Sequence, residues 1–361
     1  MSSAPSRERR VAISSRFERI ERIGRGEGQN SQVWRAFDRQ RGDQVILKEI
    51  DLRFFDGDPE LFFEETQAVC AAACDRVVPL YVAGRNDTHI CLTMPIMAGS
   101  LAKEIRDAPI PAARAIAIGQ DICDGVGAVH RAERLHLDLK PANVLLDAHG
   151  RGVIADFGQA MRVDGLGIAI SEPRMYEPYW PPEVFAKKRS LTVLSDVYQI
   201  GLTLYAAVNG DNWYRSQLDQ LHELELAPKI LDGTFPDRDA FLPHVPDHLR
   251  RVIRKATALK PSDRFESAAD LSDALGDVDP KHPWRVTQDD HDGYAWVLDE
   301  TADRSAVKVY ARFDGKYWSV EVWTQTGDAS PRKRAASSLW GKKLTWVKAN
   351  TLLKRAFRSL P

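Results

Sequence analysis

The sequence predicts an α+β protein in which strands come first, helices follow, and the last segment returns to strands. Three observations carry this. Phe17 to Ile23, Gln32 to Phe37 and Val45 to Lys48 read as strands near a glycine-containing turn. Pro111 to Arg131 is apolar at Ile116, Ile118, Ile122, Val126 and Val129, the recurrence of a helix with one buried face. After Trp284 the period falls back to two in Tyr294 to Leu298, Ala306 to Phe313 and Tyr317 to Thr324, before a closing helix over about Lys348 to Arg358.

A chain of 361 residues with 43% hydrophobic content can bury a large core and divides into more than one domain. The formal charge of −1 conceals an asymmetry. Residues 281–361 carry 15 Lys/Arg against 9 Asp/Glu, and residues 1–280 carry 35 against 42. Six of the nine tryptophans (Trp284, Trp296, Trp318, Trp323, Trp340, Trp346) fall in the basic part, which sets a boundary near Pro280-Lys281-His282-Pro283. Cys70, Cys74, Cys91 and Cys123 form no Cys-x-x-Cys pair; Cys70 and Cys74, four apart on one helical face, read as small buried residues, and the count fits a reducing cytoplasm. No apolar run approaches the roughly 20 residues that span a bilayer. Val197 to Val208 is interrupted by Gln199 and Gly201 and reads as a buried helix. Met1 to Ser15 has three arginines with no apolar stretch behind them, which predicts a flexible leader and no signal peptide. A soluble, cytoplasmic chain with no membrane partner is expected.

Two runs carry chemistry. His136-Leu137-Asp138-Leu139-Lys140-Pro141-Ala142-Asn143 sets a carboxylate, a lysine and an amide on one short loop. Ala155-Asp156-Phe157-Gly158 supplies a second carboxylate 18 residues after the first. Phosphoryl transfer needs a group to orient a hydroxyl, a cation near the γ-phosphate and oxygen ligands for Mg²⁺. Val144-Leu145-Leu146 and Val153-Ile154-Ala155 flank the runs as strand-like segments. In order and spacing these residues resemble the catalytic loop and metal-binding turn of the protein kinase family, in particular the bacterial eukaryotic-like Ser/Thr kinases. The resemblance implies that Asp138 accepts and orients the substrate hydroxyl, that Lys140 neutralises the transferred γ-phosphoryl, and that Asn143 and Asp156 hold Mg²⁺. His136 is assigned to structure, packed under the Asp-Phe-Gly turn.

The nucleotide side follows from the same resemblance. Gly24, Gly26 and Gly28, with Ser31 at the third glycine position and Val33 beyond it, are similar to the kinase glycine-rich loop, where backbone N–H groups approach phosphate oxygens. Lys48 ends an apolar strand and needs anions, which the nucleotide phosphates and a helix carboxylate would supply. The helix is expected over Pro59 to Cys74; family spacing selects Glu65, and Glu64 stays open. Ile90 to Leu101 looks like the strand and hinge that hold adenine, with the Pro95 carbonyl as acceptor, the Met97 N–H as donor and Met94 at the back pocket.

Leu137 stands where many kinases have an arginine that collects an activation-loop phosphate, and it cannot pair with one. The implied enzyme is therefore of the non-Arg-Asp type. Gly158 to Glu183 resembles an activation segment closed by Pro181-Pro182-Glu183, with Tyr176 where Ser/Thr kinases place a threonine. Asp196 would accept bonds from the catalytic-loop backbone, and Arg264 would pair with Glu183.

The resemblance covers about Phe17 to Leu275 and implies a bilobal fold: a small β-rich lobe (about 16–97), a larger helical lobe (98–280), then a small β-rich domain (284–361) after a leader (1–15). The expected function is a Mg²⁺/ATP-dependent Ser/Thr protein kinase acting on a protein substrate, with a C-terminal recognition or regulatory domain. An acidic partner or nucleic acid is the expected ligand of that basic domain. Its tryptophans read first as core and second as a stacking platform. A pseudokinase scaffold fits less well because Lys48, Asp138, Asn143 and Asp156 are all present. A small-molecule phosphotransferase lacks the Pro-Glu closure with a late arginine. A nucleic-acid-associated regulator rests on the tail charge alone.

Overall fold

The computed structural model describes residues 17–23, 31–53, 74–169, 177–185, 190–280, 282–289, 293–333 and 340–360. Of these, 17–53 and 78–96 make one compact unit, and 74–77 with 97–360 a second. Gly24, Gly26, Gly28, Glu64, Glu65, Cys70, Tyr176 and Arg334 lie outside the described residues.

The first unit is a five-stranded antiparallel sheet in the order β1-β2-β3-β5-β4: β1 Phe17–Ile23, β2 Ser31–Asp38, β3 Asp43–Asp51, β4 Val82–Arg85 and β5 His89–Met94. The turn from β2 to β3 is set by Asp38, whose Oδ1 accepts the N–H groups of Gln40 (2.8 Å) and Arg41 (3.2 Å). Gly42 closes that turn at φ 69°, a left-handed conformation that favours a residue without Cβ. Along β3, Val45 and Leu47 are buried with Ala36, while Ile46, Lys48 and Ile50 take the other face.

The second unit is built on α2 (Ala112–Arg131) and α3 (Val193–Asn209), preceded by the short α1 (Leu101–Glu104) and followed by α4 (Asp211–Leu218), α5 (Leu226–Asp232), α6 (Asp247–Ala256) and α7 (Ala268–Gly276). α3 starts at a reciprocal cap in which Thr192 and Ser195 satisfy each other's backbone donors. A Cβ on Gly201 of α3 would sit 2.8 Å from the Ala256 Cβ and 2.7 Å from Thr257 Cγ2, so this glycine lets α6 approach α3 closely. Short strands β6 (Gly99–Ser100), β8 (Val144–Leu146) and β9 (Gly152–Ile154) form a three-stranded sheet, and β7 (Arg134–Leu135) pairs with β10 (Met161–Arg162). Those ladders fix the ends of the two chemistry-bearing runs.

The C-terminal segment is the expected antiparallel sheet with a closing helix. Its strands are β11 (Arg285–Asp289), β12 (Gly293–Leu298), β13 (Ala306–Phe313), β14 (Trp318–Gln325), β15 (Arg332–Lys333) and β16 (Gly341–Leu344), the last two both pairing with β14. Helix α8 (Trp346–Ser359) begins two residues earlier than its periodicity suggests, because Thr345 caps it by accepting from the Lys348 N–H. The segment has its own core: Trp284, Trp296, Val307, Val309, Val320 and Val322 bury against Ala349, Leu353 and Ala356 of α8. The core reading of the tryptophans holds for Trp284 and Trp296, and Trp318 and Trp346 pack on the same core.

This segment also docks on the helical part of its unit. The Trp296 indole N–H donates to His244 Nδ1 at 3.0 Å inside the protein, and Arg358 pairs with Asp247 at 2.7 Å on the surface. Burial, with the Arg250 charge adding to it, pushes the His244 ring down to about 3. His244 is therefore neutral in the fold, its Nδ1 accepting. Below the ordinary histidine range, roughly 6.5, the unfolded chain takes a proton that the folded chain refuses. Stability present at neutral pH should be lost as pH falls towards 3, by up to ~1.4 kcal/mol per unit from this group. Melting temperature is expected to fall between about pH 7 and pH 5, and to fall less steeply in a His244→Gln variant, which can still accept from Trp296. Equal slopes in the two proteins would contradict this.

Candidate active site

The loop after α2 is held in an unusual backbone shape. Leu137 has φ 61° and Asp156 φ 66°, a left-handed conformation that costs side-chain-bearing residues of order 1–3 kcal/mol and persists where neighbours fix it. At Leu137 the fixing group is Asp196, at the start of α3 and fully buried. Its Oδ2 accepts from the His136 N–H (2.9 Å) and from His130 Nε2 (2.7 Å), and its Oδ1 from the Leu137 N–H (2.8 Å). Burial works to raise the Asp196 carboxyl, but these donors more than offset it and hold the group below the usual carboxylate range.

The chemistry-bearing side chains converge on Asp138. Lys140 Nζ donates to both Asp138 carboxylate oxygens at 3.0 and 2.9 Å. Asn143 Nδ2 donates to Asp138 Oδ2 and to its backbone carbonyl, both at 2.7 Å. Burial pushes the Asp138 carboxyl up, Lys140 pulls it back, and the charge of Asp156 pushes it up again. The net shift is upward, which makes Asp138 a better proton acceptor than a solvated aspartate.

His136 is structural, as its sequence position suggests. The Asp138 N–H donates to His136 Nδ1 at 3.3 Å, which puts the ring proton on Nε2, facing the Ala155 carbonyl at 3.2 Å. Burial keeps the ring below its ordinary pKa, against the pull of Asp196, Asp138 and Asp156. Its centroid lies 5.0 Å from that of Phe157, so the histidine locks the Asp-Phe-Gly turn to the loop.

Further along, Glu183 and Arg264 form a two-point ion pair at 2.8 Å for both contacts, with the Arg264 side chain fully buried. Ser195 Oγ donates to Glu183 Oε1 at 2.7 Å, and the Arg264 guanidinium lies 4.7 Å from the Tyr198 ring centroid. This ties the end of the segment after Gly158 to α3.

A family model for the protein kinase domain matches residues 17–274. The chain belongs to the protein kinase family. It is 28% identical over 251 residues to the serine/threonine-protein kinase PknL of Mycobacterium tuberculosis, covering 67% of this chain and 60% of that one. It is 28% identical over 265 residues to PrkC of Bacillus subtilis (72% and 40%) and 29% over 273 residues to the DNA damage-responsive kinase RqkA of Deinococcus radiodurans (72% and 39%). The matched part of the chain spans 60%, 40% and 39% of these relatives' lengths. Among the described residues no helix is long and apolar enough to cross a membrane.

In the first unit, Lys48 sits mid-strand in β3 and pairs in register with Val33 of β2 on one side and Leu92 of β5 on the other. Ser31 opens β2, half-buried; Pro95 follows β5, and Met97 opens the second unit, where the next N–H, from Ala98, donates to Leu146 at 2.9 Å. The donor set of the second unit suits a hard divalent cation. Asn143 commits its amide nitrogen to Asp138, which leaves Oδ1 for a ligand, and Asp156 stands on the Asp-Phe-Gly turn that His136 holds to this loop.

In the sequence Gln199 interrupts an otherwise apolar helix. In the structure it is fully buried: Oε1 accepts from the Leu139 N–H (3.1 Å), and Nε2 donates to the Leu137 carbonyl (3.1 Å) and the Tyr179 carbonyl (3.3 Å). One amide thereby ties the residues on both sides of Asp138 to the segment before Glu183. The available signal was a buried-helix position, three after Asp196, occupied by a polar residue. Gln199→Leu should lower kcat by roughly 10-fold, with a smaller change in the KM for ATP, since no nucleotide contact is removed. An unchanged kcat in the folded variant would show that the amide only fills space.

Proposed function

We propose that this chain is a Mg²⁺/ATP-dependent serine/threonine protein kinase, of the non-Arg-Asp type, with a C-terminal domain that recognises an acidic partner. The observation that carries it is the convergence of Lys140 and Asn143 on a buried Asp138 whose carboxyl is raised. Asp138 would accept a hydrogen bond from a serine or threonine hydroxyl and take its proton as the bond to phosphorus forms. Lys140, two residues on, would meet the transferred phosphoryl. Bound Mg²⁺, held by Asn143 and Asp156, would offset the charge of the nucleotide phosphates. The family resemblance assigns ATP binding to the glycines 24, 26 and 28, to Ser31, Val33, Lys48 and Pro95, and to Glu65 and Met97. Such chemistry belongs in the cytoplasm, where ATP is available.

Apolar packing supports the non-Arg-Asp reading. Leu137 is fully buried with Leu135, Val184 and Leu191, and Val163, Ala169 and Trp180 pack on the same cluster. The start of the segment is tied as well: Asp164 Oδ1 accepts from the Leu166 and Ile168 N–H groups, and the Ala169 N–H donates to Leu191. Between Gly158 and Glu183 there is one aliphatic hydroxyl, Ser171. Burying these side chains does the anchoring that a phosphate and an arginine do elsewhere. Phosphatase-treated protein should therefore phosphorylate a generic basic protein at the untreated rate and without a lag. A lag that shortens with enzyme concentration would contradict this.

A further inference from the structure

The tail core divides the tryptophans. Trp284 and Trp296 are buried, and Trp318 and Trp346 pack on that core with their rings 4.5 Å apart, but Trp323 is not part of it. On β13, Val307, Val309 and Ala311 face α8, and Lys308, Tyr310 and Arg312 alternate with them on the opposite face. On β14, Val320 and Val322 face the core, and Glu321 and Trp323 alternate with them. All five of these outward side chains are half-exposed.

The register groups them. Trp323 pairs with Lys308 on one side and with Lys333 on the other, and Tyr310 pairs with Glu321. Tyr310 is thus diagonal to Trp323, a separation of roughly 7–8 Å. The Arg312 guanidinium lies 4.3 Å from the Tyr310 ring centroid, and the Trp323 indole N–H donates to Glu321 at 3.3 Å, which orients the ring at the expense of one negative charge on the face. Exposed Lys342 and Lys343 lie on β16 opposite Ser319, the β14 partner of Arg312.

We infer that this outward sheet face binds single-stranded nucleic acid, with bases stacked on Trp323 and Tyr310 and phosphates met by Lys308, Arg312, Lys342 and Lys343. Two rings set apart on a cationic sheet suit bases, which have π-faces, and phosphates, which carry the charge. A carboxylate-rich protein would use the cations and leave the rings idle. A duplex hides its bases. The inference rests on the reading of the tail as a recognition domain for an acidic partner and narrows that partner to one chemical class.

The test is fluorescence anisotropy of the full-length protein with a labelled oligodeoxythymidine of about 20 nucleotides, against a duplex of equal length and polyglutamate. Binding should favour the single strand, weaken with salt, and fall at least ~10-fold when Trp323→Leu and Tyr310→Leu are combined, since both stacking rings are then lost. Leucine keeps apolar bulk on the strand, and an unchanged melting temperature would show the fold intact. If that variant fails to fold, quenching of the wild-type tryptophan emission by the unlabelled oligonucleotide, absent in Trp323→Phe alone, reads out the same contact. Binding unaffected by loss of the rings, or equal binding of the duplex, overturns the inference. Preference for polyglutamate overturns it while leaving the acidic-partner reading in place, and binding of none of the three removes both.

Discussion

Replacing Asp138 by asparagine is expected to cut phosphoryl transfer by at least ~10³-fold while leaving the fold intact, the loss typical of removing a central proton-handling or electrostatic group. The substitution is close to isosteric. An asparagine can still accept from Lys140 or Asn143 through its oxygen, so the loop keeps most of the contacts that hold it. What it cannot do is take a proton. Lys48→Met and Asp156→Ala should lose as much for different reasons: the first removes a cation from the middle of β3, the second an oxygen ligand on the turn beside His136. Initial rates with a generic protein substrate, alongside melting temperatures, provide the check. Near-normal turnover in any of the three folded variants would remove the assignment of that residue.

Arg264→Ala should destabilise the protein by about 3–5 kcal/mol, because it leaves a carboxylate in a place built for an ion pair. The Arg264 side chain is fully buried, and besides Glu183 it donates to the carbonyls of Leu194, Ala258 and Leu259. Its removal therefore orphans four acceptors at once. Removing Glu183 as well should cost less than the two single changes added together, since the second change takes away the carboxylate that the first left unpaired. Urea unfolding of the two single variants and the double variant measures this. Strict additivity would mean that the pair does not act as a unit.

Residues that work through local sequence were legible before any coordinates. The His136 to Asn143 loop is one contiguous run, so its spacing alone brings Asp138, Lys140 and Asn143 together. Strand and helix positions followed from apolar periodicity, as in β13, whose bounds the alternation sets at Ala306 and Phe313. Gln199 was not legible, because a polar residue in an apolar helix does not say which backbone, 60 residues away, it will bond. Nor was His244, which ordinary helix and strand patterns leave in a connecting segment and which only the docked tail turns into the acceptor for Trp296. The tail tryptophans were ambiguous for the same reason: periodicity places Trp323 on a strand but does not reveal which face α8 will cover.

The most direct test of the central claim is transfer of labelled γ-phosphate from Mg²⁺-ATP to an added protein, followed by phosphoamino acid analysis. The account predicts label on serine and threonine with the wild-type chain and essentially none with Asp138→Asn. Label that persists unchanged in Asp138→Asn, or none with either protein while both are folded and bind ATP, would contradict it.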